Sequence, residues 1–234
     1  MQLFFTSLLS EKDKTFVFDK EESKHIIKVL RKKEGDIMFV TNGLGFLFKT
    51  KIKLASDSKC SVEIISFEKK APKKFKLHLA IAPTKMNERF EWFLEKATEI
   101  GIDEITPILC DHSERKIINT DRFKKIIESA MKQSLHYFIP KLNEPLLYKD
   151  FIKNQYKGQK FIAHCEETQK KGLKNELLLN ENYTILIGPE GDFSEKEIKL
   201  AIENEFLAVS LGNTRLRTET AAIVACHSVV FFNE

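Results

Sequence analysis

Two segments of the chain concentrate residues able to do chemistry. The first is Gly188-Pro189-Glu190-Gly191-Asp192-Phe193-Ser194. Pro189 suits the second position of a tight turn and Gly191 the fourth. Ser194 followed by Glu197 reads as a capping box, so a helix begins there. The second is Gly212-Asn213-Thr214-Arg215-Leu216-Arg217-Thr218-Glu219-Thr220-Ala221. Gly212-Asn213 permits a sharp turn. Arg215 and Arg217 then alternate with Leu216, so in an extended loop both guanidiniums share a side. Each offers a planar fork of donors suited to RNA phosphate. Arg217 and Glu219 read equally well as a structural ion pair at a helix start, where a carboxylate also suits the dipole.

A strand, a glycine turn and a helix N-terminus can cradle phosphate. Here Glu190 and Asp192 would repel it, and the chain carries neither G-x-G-x-x-G nor a Walker lysine. A nucleotide whose reactive part is cationic fits this turn better. S-adenosylmethionine, with its sulfonium and no phosphate, has that chemistry; an ordinary strand-to-helix turn is the other reading of the same residues. His164, at a strand end, is either a base or ligand or a satisfied structural histidine. Gln133-Ser134 and Ser113-Glu114-Arg115-Lys116 are polar groups that surface solvation also explains.

The elements that must position these loops fall into two patterns. Residues 15–18, 37–41, 47–52 and 60–67 alternate or run apolar between turn signals and read as strands, with Asn42-Gly43 as a hairpin turn. A helix over 21–31, with Ile26, Ile27, Val29 and Leu30 on one face, interrupts them. This predicts a small β-barrel with one helix over 1–70. Lys69-Lys70-Ala71-Pro72-Lys73-Lys74 is a charged, proline-containing linker and the best boundary. From residue 75 to 234 strands (77–82, 105–109, 161–165, 184–187, 208–211) alternate with helices. One helix is capped by Asn87 and stopped by Gly101, and others cover 121–135, 195–205 and 219–232. That rhythm predicts an α/β domain with a mostly parallel sheet covered on both faces. Ligands then bind at the carboxyl ends of the strands. The last helix is apolar almost all round, so it belongs inside the domain or in a subunit interface.

Composition narrows the classes. With 234 residues, 42% of them hydrophobic, the chain can bury a substantial core. No stretch approaches the ~20 apolar residues of a membrane helix, and the N-terminus MQLFFTSLLSEKDK has no basic n-region or clear cleavage site. A cytoplasmic protein is therefore expected. The four cysteines, Cys60, Cys110, Cys165 and Cys226, are scattered singly, without zinc-site or redox spacing. No metal is expected. The net charge of +4 is uneven: residues 1–74 hold 16 Lys+Arg against 10 Asp+Glu, whereas the rest hold 22 against 24. A basic first third fits contact with nucleic acid as well as it fits a lysine-rich solvated surface.

In combination these motifs are distinctive. The segments Ile27-Lys28-Val29-Leu30-Arg31 with Gly35-Asp36, Glu95-Lys96-Ala97-Thr98-Glu99-Ile100-Gly101, Ile187-Gly188-Pro189-Glu190-Gly191 and Leu211-Gly212 through Ala221 run in order along nearly the whole chain. In them the sequence resembles the RsmE family, bacterial small-subunit rRNA uridine-N3 methyltransferases of the SPOUT superfamily. The resemblance implies an N-terminal PUA-like barrel for RNA and a C-terminal α/β domain tied in a trefoil knot, which no spacing reveals. It also implies a homodimer, S-adenosylmethionine as cofactor, and one uridine of 16S rRNA in the 30S subunit as substrate. The cofactor residues it implies are Cys165, Ile187, Gly188, Pro189, Glu190, Gly191, Leu211, Gly212, Leu216, Thr218, Thr220 and Ala221. Lys24, His25, Lys28, Arg31 and Arg115 are expected to hold RNA. Arg217 or Arg215 is expected to stabilise charge developing on the uracil oxygens, with Glu219 taking the proton or orienting the arginine. The chain departs from the family in lacking an early arginine, in Lys132 before Gln133, and in reading GPEGD. A non-catalytic RNA-binding assembly factor and a methyltransferase for another RNA are the alternatives.

Overall fold

The computed structural model describes residues 1–166 and 170–234. The chain divides into two compact units: Met1–Pro72 with Met131–Ile139, and Lys73–Ala130 with Pro140–Glu234.

In the first unit β1 (Leu3–Phe5), β2 (Thr15–Val17), α1 (Lys20–Lys24), β3 (Ile37–Thr41), β4 (Phe46–Leu54) and β5 (Ser61–Lys69) follow one another. The strands form one sheet in the order β1-β3-β4-β5-β2. β1 lies parallel to β3, and the other pairings are antiparallel. β1 and β2 are its two edges, so the expected barrel is a half-barrel. Alternation works as expected in β4, where Phe48, Thr50 and Ile52 are buried and Lys49, Lys51 and Lys53 are exposed. The inward set packs with Phe4, Phe18, Ile26, Met38 and Val62. In the turn before β4, Asn42 Oδ1 accepts from the Leu44 amide at 2.9 Å, and Gly43 takes a φ of 73°. A Cβ at Gly43 would lie 2.8 Å from Ile139 and 2.9 Å from Phe5. The backbone of residues 137–139 pairs with Gly43 and Gly45, a return of the chain that no local pattern announces.

The helix expected over 21–31 is corrected. Asp19 caps α1 by accepting from the Glu22 amide at 2.8 Å. Residues His25–Val29 then continue as a wider π turn, with the Leu30 amide bonded to the His25 carbonyl at 3.0 Å. Arg31 ends it in a left-handed conformation, φ 56°. The wider turn rotates the apolar stripe: Ile26 is fully buried, but Val29, expected on the same face, is 66% exposed.

The second unit contains β6 (Leu77–Ile81), α2 (Asn87–Ile100), β7 (Glu104–Leu109), all but the last turn of α3 (Thr120–Gln133), β8 (Lys141–Leu142), β9 (Leu146–Leu147), α4 (Tyr148–Phe151), β10 (Gln159–Ala163), β11 (Lys171–Gly172), β12 (Tyr183–Ile187), α5 (Glu195–Glu203), β13 (Leu207–Ser210) and α6 (Thr218–Asn233). The sheet order is β11-β13-β10-β12-β6-β7-β8, with β9 also beside β7. Every pairing among the described residues is parallel. The central strands are buried on both faces, as a helix-covered parallel sheet requires: β12 has no exposed residue. α2 packs along α6. Gly101 stops α2 at φ 102° as expected, but Asn87 does not cap it. Met86 occupies the cap position without a side-chain bond. The Thr84 hydroxyl donates to the Met86 carbonyl at 2.7 Å, which turns the chain one residue earlier. No helix among the described residues is long and apolar enough to cross a membrane.

Candidate active site

Loops from the carboxyl ends of β10, β12 and β13 meet in the second unit. β12 ends at Ile187, and the glycine turn is closed by the Asp192 amide donating to the Pro189 carbonyl at 3.0 Å. Gly188 is closely packed: a Cβ there would lie 3.0 Å from the Phe193 ring, which would have to shift by a few tenths of an ångström. Ser194 and Glu197 form the expected capping box at the start of α5, and the Ser194 hydroxyl also donates to Asp111 at 2.7 Å. Glu190 accepts from the Lys85 amide at 3.0 Å, which binds the turn to the loop after β6. His112 Nδ1 lies 3.0 Å from the carbonyls of both Gly191 and Asp192. Since carbonyls only accept, Nδ1 carries the ring proton.

The second loop leaves β13 at Ser210, whose hydroxyl donates to the Gly212 carbonyl at 2.7 Å. Gly212 has a φ of 143°. Arg215 and Arg217 are exposed while Leu216 between them is half-buried, so the expected alternation holds. Neither arginine has an ion-pair partner among the described residues. Arg217 is extended at φ −72°, ψ 155°, and its side chain makes no capping bond.

Glu219 does not pair with Arg217. Residues two apart do not face each other on a helix, and Glu219 turns inward to 7% exposure. Its Oε1 lies 3.7 Å from Nε of Arg89 on α2, and its buried Oε2 has no hydrogen bond. Arg89 is therefore the partner of Glu219 that the sequence reading missed. Its signal was a charged residue on the apolar stripe of α2, four positions before Phe93 and eight before Ala97. Arg89→Met leaves a buried carboxylate unpaired and should destabilise the protein by about 2–3 kcal/mol, at the low end for buried pairs because Arg89 is partly exposed. Adding Glu219→Gln should recover part of that loss in urea unfolding; strict additivity would remove the pair from the account.

A cavity of about 540 Å³ is lined by Cys165, Gly191, Leu211, Gly212, Leu216 and Ala221, among others. A second, of about 310 Å³, adds Ile187, Gly188, Pro189, Glu190, Arg217 and Thr218. Cys165, Asp192, Arg215, Leu216 and Ala221 line both. Of the expected cofactor residues, only Thr220 lines neither. His164, 7% exposed, also borders the larger cavity. Burial and the Lys170 ammonium lower its pKa, against the opposing pull of Asp192. Lys170 Nζ, a donor only, sits 3.5 Å from its Nδ1, and its buried Nε2 has no partner among the described residues. No cluster of metal-ligating side chains occurs among the described residues, and all four cysteines are free thiols.

Of the residues expected to meet RNA, Lys24, His25, Lys28 and Arg31 are exposed and Arg115 is half-buried. Lys24, His25, Lys28 and Arg31 lie on α1 and the wide turn after it. His25 is 3.5 Å from Glu22 and Lys28 3.4 Å from Asp57. Lys24 and Arg31 have no ion-pair partner among the described residues. Arg115, in the second unit, donates from Nε to the Ile117 carbonyl at 3.0 Å. Ser113 is structural: its hydroxyl accepts from the Cys110 amide at 2.9 Å.

Known proteins agree with this architecture. A family model described as the RNA methyltransferase domain matches residues 71–230, and one described as the RNA methyltransferase PUA domain matches residues 18–65. Ribosomal RNA small subunit methyltransferase E of Buchnera aphidicola subsp. Acyrthosiphon pisum is 33% identical, covering 90% of this chain and 85% of its own length. The crystal structure of a "probable rRNA-methyltransferase" from Porphyromonas gingivalis superposes with a TM-score of 0.90 at 37% identity, covering 100% of this chain and 98% of that one. A methyltransferase structure from Legionella pneumophila, solved in complex with the bound cofactor SAM, gives 0.86 at 28% identity over 97% of this chain and 96% of its own. With its parallel sheet, its glycine turn and near full-length matches of this kind, the chain belongs to the ribosomal RNA small subunit methyltransferase E (RsmE) family.

Proposed function

We propose that this protein transfers the methyl group of S-adenosylmethionine to N3 of one uridine in 16S rRNA of the small ribosomal subunit, in the cytoplasm and as a homodimer. The observation that carries this reading is the cavity where the loops after β10, β12 and β13 converge beside two unpaired arginines. The residues present fit the cofactor. Gly188 packs closely against Phe193 and, having no side chain, presents main chain to the cavity. Glu190 and Asp192 suit a cationic ligand and oppose a phosphate. Cys165, Ile187, Gly188, Pro189, Glu190, Gly191, Leu211, Gly212, Leu216, Thr218 and Ala221 would hold it; Thr220 stands behind them on α6. Bound there, S-adenosylmethionine supplies an electrophilic methyl for in-line displacement, so most of the protein's work is positioning.

Uridine N3 is a weak nucleophile while protonated. Arg217 and Arg215 present forks of donors to the uracil oxygens and stabilise the negative charge that develops as the N3 proton passes to solvent water. Glu219 is buried against Arg89 and serves to orient that guanidinium rather than Arg217. N3 lies on the Watson–Crick edge, so the target base must be unpaired or flipped out. Residues 1–70 act as the RNA-binding unit and 75–234 as the catalytic one. In support of the homodimer, the adjacent Phe231 and Phe232 at the end of α6, 71% and 39% exposed, offer apolar surface that a second copy would cover.

The deciding assay is methyl transfer from labelled S-adenosylmethionine to small subunits from a strain lacking the family's enzyme, with mass-spectrometric mapping. The expected product is N3-methyluridine at one position. Cofactor binding without any label would replace this reading with that of a binding factor. A second measurement concerns RNA affinity. The combined variant Lys24→Ala, Lys28→Ala, Arg31→Ala should flatten the slope of log affinity against log salt by about 2, with affinity for S-adenosylmethionine unchanged. An unaltered slope would take those three side chains off the RNA.

A further inference from the structure

Among the described residues, five non-glycine residues have a positive φ: Arg31, Leu135, Asn180, Asp192 and Glu205. Only Asp192, at φ 62°, lines the candidate cavity. Glycine takes this conformation freely, whereas an aspartate takes it at a smaller cost than most side chains but still at a cost. Strain of this kind persists where surrounding bonds over-determine it, often at a working site.

The compensation is visible in the Asp192 carboxylate. Oδ1 accepts from the amide of Phe193 at 2.9 Å. Oδ2 accepts from the amide of Cys165 at 2.7 Å, across 27 residues of sequence. The position of that second bond matters. β10 and β12 are paired in register up to Ala163 opposite Ile187, and beyond that pair the two loops are no longer tied by the sheet. The Asp192–Cys165 bond joins them again just past the end of the ladder, where both residues become wall of the cavity. On the other side of the turn His112 holds the carbonyls of Gly191 and Asp192, and a Cβ on Gly191 would lie 3.1 Å from His112 Cβ. The turn is thus gripped from two directions, and among the described residues the Asp192 carboxylate is the side chain of the turn seen bonded to the facing wall.

We infer that Asp192 is a positioning residue for the cofactor: its carboxylate staples the loop after β10 to the glycine turn and sets the width of the cavity between them. This rests on the reading of that cavity as the S-adenosylmethionine site. The staple matters for binding, while the backbone strain it requires counts against stability. Function and stability therefore respond in opposite directions to its removal, a split that a purely structural aspartate would not produce.

The test compares wild type, Asp192→Gly and Asp192→Asn by calorimetric titration with S-adenosylmethionine, thermal unfolding, and amide exchange at Cys165 without ligand. Asp192→Gly is expected to bind about tenfold more weakly, the scale of one charge-assisted hydrogen bond, with Tm unchanged or higher and faster exchange at Cys165. Asp192→Asn keeps one acceptor oxygen and should fall between. An Asp192→Gly variant that binds as tightly as wild type overturns the inference, as does one whose affinity falls only alongside its Tm. A wild type that binds no S-adenosylmethionine sinks the reading of the cavity, and this role with it. A wild type that binds beside a variant that binds equally sinks this role alone.

Discussion

Arg217→Ala should lower kcat by about 100- to 1,000-fold, the range for loss of one donor that stabilises charge in a transition state, while the Kd for S-adenosylmethionine stays close to that of wild type. The structure separates the two quantities. The Arg217 side chain is exposed, caps nothing and has no ion-pair partner among the described residues, so the fold does not depend on it. A surface change of this kind shifts stability by no more than about 0.5 kcal/mol. Arg217 borders the smaller cavity, and its carbonyl accepts the Ala221 amide at 2.7 Å, a bond that alanine retains. The course of the main chain is therefore kept and only the side chain is lost. Arg217→Lys should recover a minor part of the rate, because an ammonium cannot offer two parallel donors to a planar base edge. Single-turnover methyl transfer with saturating cofactor, paired with calorimetric titration, reads both numbers. Equal losses in rate and cofactor affinity would make Arg217 a cofactor residue instead.

Gly188→Ala should impair both stability and cofactor affinity. The added Cβ would meet Phe193 Cδ2 at 3.0 Å, Cε2 at 3.1 Å and the Phe193 amide nitrogen at 3.3 Å. Whether the ring can retreat decides the result. Phe193 is 2% exposed and belongs to the buried cluster with Tyr148 and Phe206. Its ring lies 5.5 Å from that of Tyr148, and the Tyr148 hydroxyl donates to the Glu197 carbonyl at 2.7 Å. Glu197 in turn closes the capping box of α5. The ring is thus backed by a side chain that is itself held, and the strain falls on the turn. Overpacking of this kind costs about 1–3 kcal/mol. Because the displaced atoms are the wall of the cavity, affinity should fall by more than about tenfold, a change of 1.4 kcal/mol or more. Urea unfolding and titration with S-adenosylmethionine check the two effects; wild-type values in both would show that Gly188 is not a close-packed seat.

Much of this site was legible without coordinates. The capping box at Ser194 and Glu197, the stop at Gly101, the alternation of Arg215, Leu216 and Arg217, and the strand–helix rhythm all rest on contacts within a few residues. Backbone sterics and side-chain periodicity encode such contacts directly. The placement of ligand loops at the carboxyl ends of parallel strands follows from the same rhythm. Tertiary structure decided what depends on which strands become neighbours. The order β13-β10-β12-β6 brings the Asp192 carboxylate to the Cys165 amide and sets Glu219 against Arg89. Local reading had instead offered Glu219 the arginine two residues before it. It also put Val29 on an inward face that the π turn rotates outward, and nothing in it placed residues 137–139 beside Gly43 and Gly45. Local propensity settles elements and their ends because those energies are summed over a turn or two of chain. A carboxylate's partner is settled by whichever donor packing brings within reach, and that information is spread over the whole fold.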